Sequence, residues 1–105
     1  MAYPSKYKDA QVEILGVPVN PAKQLVAGSA SSNTALTDTV KRISMRASGA
    51  DIRFSIGTGT QTANGNTSPF IANGERLDFA VPEGASIAVI RDGTVNGTLE
   101  LTELI

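Results

Sequence analysis

Asp51, Glu75, Asp78, Glu83 and Asp92 are the carboxylates whose positions invite a chemical reading. Paired carboxylates do acid–base work only in a cleft that gives them distinct environments. The spacing clusters none of them, and strand alternation turns Asp78 outward, so each reads as a solubilising surface group. A calcium loop needs an Asp-x-Asp-x-Asp-Gly ladder, and the chain has none. The loop 28–33, Gly-Ser-Ala-Ser-Ser-Asn, offers hydroxyls without a base to activate them. Histidine and cysteine are both absent, which removes Ser-His and Cys-His pairs, thiolate metal sites, disulfides and the commonest zinc ligand. The glycine-rich run 57–67 lacks the Gly-Lys-Ser/Thr ending and the following helix of a phosphate-cradling loop. Asn66-Thr67-Ser68 and Asn96-Gly97-Thr98 match the glycosylation triplet, which carries weight only in a secreted chain. These residues predict neither an enzyme nor a cofactor or metal site.

The chemistry being thin, surfaces and the elements that carry them become the subject. A chain of 105 residues makes one domain with a modest core. No apolar run approaches a membrane span, and the N-terminus has no signal-peptide core, so the expectation is synthesis and residence in an aqueous compartment. Net charge is −1, but residues 1–50 carry six Lys/Arg against three Asp/Glu, giving +3, and residues 51–105 carry three against seven, giving −4. That excess is too small for a nucleic-acid-binding face. Halves of opposite sign suggest instead that copies or neighbours pack against one another.

Residues 1–23 read as an extended arm and residues 24–105 as the folded domain. Pro4, Pro18 and Pro21 favour extended backbone, and Val12-Glu13-Ile14-Leu15 is the arm's strand-like piece. One reading is an anchor that docks on a partner through Tyr3, Tyr7, Val12, Ile14 and Leu15. The other is a frayed terminus.

Short strands follow at 24–27 and 34–37. Residues 39–47 and 50–56 can form a hairpin about Ser48-Gly49, which sets Met45 opposite Ile52, Ile43 opposite Phe54 and Arg46 opposite Asp51. Pro69 to Ala72 makes another short strand before the Asn73-Gly74 turn. Leu77, Phe79 and Val81 alternate with polar partners as in a half-buried strand. Pro82 ends it, and Glu83-Gly84 turns the chain. Residues 98–104 alternate as the last strand. About eight short strands and no capped helical period predict an all-β chain, a single antiparallel β-sandwich or small jelly roll with an extended N-terminal arm.

One strand breaks the pattern. Ile87-Ala88-Val89-Ile90 is apolar on both faces, although a two-layer sandwich buries only one. The second face needs a cover: the arm, a loop, a host protein or another copy. Oligomerisation is the sharper reading and assigns Ala88 and Ile90 to self-association.

Four stretches carry a family resemblance: residues 42–57, Arg-Ile-Ser-Met-Arg-Ala-Ser-Gly-Ala-Asp-Ile-Arg-Phe-Ser-Ile-Gly; residues 70–82, with Gly-Glu-Arg-Leu-Asp; residues 87–91; and residues 97–104. Together they resemble small virion proteins of tailed bacteriophages, of the capsid decoration or cement type. The resemblance covers the last two-thirds of the chain and leaves out the arm before Asn20. It implies a β-sandwich that binds the major capsid protein on the outer shell as symmetric copies bridging capsomers, made in the host cytoplasm and resident on the virion. It transfers no catalytic residue and implies no nucleic-acid or membrane partner. The alternative is a tail, fibre or head-spike module whose loop 57–67 touches another virion protein or a host glycan.

Overall fold

The computed structural model describes residues 22–104. The arm docking residues Tyr3, Tyr7, Val12, Ile14 and Leu15 lie outside them. Eight strands make up the described chain: β1 (Lys23–Ala27), β2 (Ser32–Ala35), β3 (Arg42–Ser48), β4 (Ile52–Thr58), β5 (Phe70–Ile71), β6 (Arg76–Ala80), β7 (Ala85–Arg91) and β8 (Gly97–Leu104). They form two antiparallel four-stranded sheets, ordered β1-β8-β3-β6 and β2-β7-β4-β5. The chain changes sheet at every connection except β4–β5, and the resulting order is that of an eight-stranded jelly roll. The all-β expectation holds. The first strand opens at Lys23, one residue before the strand expected at 24–27.

The core lies between the sheets. Ile43, Met45 and Ala47 of β3 and Leu99 and Leu101 of β8 face Ile52 and Phe54 of β4 and Ile87 and Val89 of β7. All are buried, because alternate residues of each strand turn to one side. Gly49, Gly74 and Gly84 turn the chain at positive φ, which glycine adopts without a Cβ clash.

The β3–β4 hairpin is a correction. β3 pairs with β6 and β8, whereas β4 pairs with β5 and β7. Residues 49–51 carry the chain from one sheet to the other instead of reversing it within one. Arg46 therefore stands opposite Glu100 and Arg76, not Asp51. Asp51 accepts the Asn73 N–H at 2.8 Å, and Asn73 in turn accepts the Gly49 N–H at 3.0 Å. These two bonds tie the β3–β4 corner to the β5–β6 corner. The apolar face was legible and its partner was not: Ile43 and Met45 meet Phe54 and Ile52 across the core rather than beside them. The connections after β6 and β7 cross between sheets in the same way, so neither forms a hairpin.

Two strands sit out of their expected phase. β2 begins two residues early, at Ser32. In β8 the alternation that buries Leu99 and Leu101 continues to Glu103, so a carboxylate points inward, and Leu104 is buried beside it.

Candidate functional site

The candidate carboxylates are dispersed among turns and edges. Glu75 closes its own turn by accepting the Ala72 N–H at 2.9 Å. Asp92 pairs with Arg53, Oδ1 to Nε at 2.7 Å, in a partly exposed contact. Asp78 is exposed on the outer face of β6 beside Ser44 of β3, and Glu83 is exposed in its turn. Asp51 and Asp92 share the rim of a shallow depression of about 340 Å³ that Gly49, Asn73 and Val95 also line, and each is already engaged. Among the described residues no three His, Cys, Asp or Glu side chains come together as a metal site.

Glu103 is the titratable group that sequence reasoning missed. It is fully buried. Thr37 donates both its backbone N–H, at 2.9 Å, and its hydroxyl, at 3.1 Å, to the two carboxylate oxygens, and Lys23 Nζ stands 3.8 Å away. The bonds tie β8 to the β2–β3 connection and to the start of β1. The available signal was the break in phase: Glu103 shares a face with Leu99 and Leu101.

The doubly apolar strand β7 is central in its sheet, flanked by β2 and β4. Its inner face, Ala85, Ile87 and Val89, enters the core. On its outer face Ala88 stands between Asn33 of β2 and Ser55 of β4. Gln61 spans that row: its N–H donates to Asn33 Oδ1 at 2.8 Å, and Ser55 Oγ donates to its side-chain carbonyl at 2.8 Å. The buried Ala63 follows, its N–H held by Ser31 Oγ at 2.8 Å, and the loop passes Ile90 at Gly65. Its far end is fixed to β4 by Arg53, which donates to the Ser68 carbonyl at 2.8 Å and lies 5.3 Å from the Phe70 ring centre. Residues 59–68 thus form a lid over the outer face of β7. Ala88 is completely enclosed and Ile90 half-buried, so the chain itself supplies a cover for the face assigned to self-association.

Apolar surface is exposed elsewhere. Phe79 is 38% exposed at the edge strand β6, its ring 5.8 Å from that of Phe54 across the core. With Ile56, Pro69, Ala80 and Pro82 these rings line a groove of about 410 Å³. On the outer face of the β1-β8-β3-β6 sheet, Arg42, Arg46 and Arg76 are exposed. Arg76 is anchored by a 2.9 Å bond to Ser44 Oγ and stands directly opposite Arg46. Like charges at facing positions repel, and Glu100 on the other side of Arg46 offsets part of that cost. No family model, no curated protein and no solved structure matches the chain.

Proposed function

We propose that this chain is a structural virion protein: a capsid decoration (cement) protein that binds the outer shell of a tailed-phage head and stabilises it. Its partner in this reading is the major capsid protein, with further copies of the chain alongside. Support comes from the phage-like stretches at residues 42–57, 70–82, 87–91 and 97–104, which all fall on the strands and corners of the jelly roll. Jelly rolls also build viral capsid proteins, a likeness of fold and so an analogy of function. The observation that carries the reading is the division of the surface. Asp51, Glu75 and Asp92 are spent holding corners together, while apolar side chains gather at a sheet edge that the other described residues leave open.

A protein that binds only the assembled shell stabilises it by mass action, and many weak contacts in a lattice add by avidity. Purified capsids incubated with the chain are expected to take it up saturably at lattice positions visible in particle images, and to rupture at a higher temperature. A chain lacking residues 1–20 is expected to show reduced occupancy. Full occupancy by the truncated chain removes the arm from the docking role, and a position at the tail replaces the shell reading with the tail-module one.

A further inference from the structure

The outer face of the β1-β8-β3-β6 sheet holds two like charges at the closest spacing a sheet allows. Bonds from the Ala47 N–H to the Glu75 carbonyl, 3.2 Å, and from the Val81 N–H to the Lys41 carbonyl, 2.9 Å, set the phase of the β3–β6 ladder. Odd-numbered residues of β3 therefore turn their backbone groups to β6, and even-numbered ones turn theirs to β8. Arg46 and Arg76 are then a non-hydrogen-bonded pair, with Cα atoms about 4.5 Å apart, whereas Arg46 and Glu100 are a hydrogen-bonded pair at about 5.5 Å. The closer of the two charges facing Arg46 is thus the one that repels it. Asp78, two residues along β6 from Arg76, stands across from Ser44 rather than Arg46. Among the described residues neither guanidinium forms a salt bridge; the pairs there are Lys23–Glu103 and Arg53–Asp92.

One of the two charges is also held in place. Ser44 is only 7% exposed, and its hydroxyl accepts from Arg76 Nη1 at 2.9 Å. That bond orients the guanidinium before anything binds, which lowers the conformational entropy lost on binding. Both arginines are exposed. The rows on either side of them are mostly short, with Ser48 and Thr98 in one and Ser44 and Thr102 in the other, so a side chain from another surface can reach in. We propose that Arg46 and Arg76 form a docking point for a carboxylate carried by a partner protein, an Asp or Glu side chain seated between the two guanidinium groups. Such a carboxylate replaces a repulsion by two attractive contacts, and the arginine fork matches its paired oxygens. The face is flat and open to water, so nothing encloses a free anion. A carboxylate delivered by a surface already in contact gains instead from its effective concentration. Phe79 points from β6 into the sandwich and Arg76 away from it, so the site leaves the apolar groove free for its own contact. The assignment deepens the shell reading and rests on it only for the partner's identity.

The test is nuclear magnetic resonance of the arginine Nε–H groups in the full-length chain, titrated at constant ionic strength with a tetraglutamate peptide. The Arg46 and Arg76 signals are expected to shift along one saturation curve with a Kd of roughly 1 mM, while those of Arg53 and Arg91 stay in place. A tetraglutamine peptide is expected to move none of them. In an Arg46→Gln/Arg76→Gln double variant, followed through the Ser44 and Thr102 amides, the peptide is expected to bind about fivefold more weakly. Glu100→Gln removes the carboxylate that competes for Arg46 and is expected to tighten binding. Unchanged Met45 and Leu101 amide signals report an intact sandwich in each variant. A titration that does not saturate, or one that the double variant leaves unchanged, overturns the proposal. Inorganic phosphate binding as tightly as the peptide overturns it in favour of a free anion. Arginine signals that move when the chain alone is concentrated overturn it in favour of a second copy. These readouts use the isolated protein, so they succeed or fail independently of capsid occupancy.

Discussion

Glu103 sets the terms at the scale of single residues. A buried carboxylate persists only where donors replace the water it has lost, and Thr37 supplies two, with Lys23 at the rim. Removing the side chain ends both bonds from Thr37 and leaves a cavity where a fully buried group stood. Glu103→Ala is therefore expected to lower stability by about 1–3 kcal/mol, measured as a shift of the urea midpoint. Glu103→Gln, which keeps one acceptor oxygen, is expected to lose less; equal losses would mean that the bonds to Thr37 are not what the site depends on. Ala88 makes the complementary point. It is small and enclosed beneath Gln61, so Ala88→Leu has to push the lid away, at a cost of about 1–3 kcal/mol. That cost is expected to appear in the urea midpoint at every protein concentration. A midpoint that moves only where copies associate would place Ala88 at a subunit interface.

Strands were legible as elements, but their neighbours were not. Alternation found the buried faces of β3 and β4, and Asn73-Gly74 and Glu83-Gly84 found real corners, because both signals are local. Whether a corner returns the chain beside itself or carries it to the facing sheet depends on distant strands. A hairpin and a sandwich corner both bring Met45 and Ile52 to one core, so the pattern of residues 42–56 satisfies either. The lid was hidden for the same reason: Gln61 and Ser31 are ordinary loop residues until the fold sets Asn33, Ala88 and Ser55 in one row. Register can be tested directly because the chain has no cysteine. Arg46 and Arg76 face each other as a non-hydrogen-bonded pair, where Cα atoms lie about 4.5 Å apart. Arg46→Cys/Arg76→Cys is thus expected to crosslink on mild oxidation, and Arg46→Cys/Asp51→Cys to remain reduced. The opposite result, read as mass and gel mobility, would bring back the hairpin.

For the molecule as a whole, the jelly roll mixes what the sequence separates. Among the described residues the two halves of opposite charge do not become two faces, since the sheet β1-β8-β3-β6 alternates strands from the first half with strands from the second, and the other sheet joins β2 to three later strands. Among the described residues the charge asymmetry along the chain is therefore interleaved strand by strand within a sheet. The interleaving also makes the last strand indispensable. In a meander the final strand would lie at an edge and its loss would be local. Here β8 sits between β1 and β3, supplies Leu99 and Leu101 to the core, and carries Glu103 to its partners at the β2–β3 connection. Without it β1 has no sheet to join and β3 loses one of its two ladders. A chain ending at Asn96 is expected to lose its cooperative thermal transition altogether rather than melt at a lower temperature. The transition can be followed by calorimetry and by circular dichroism. A surviving cooperative melt in the shortened chain would mean that the two sheets close without β8, which this strand order forbids.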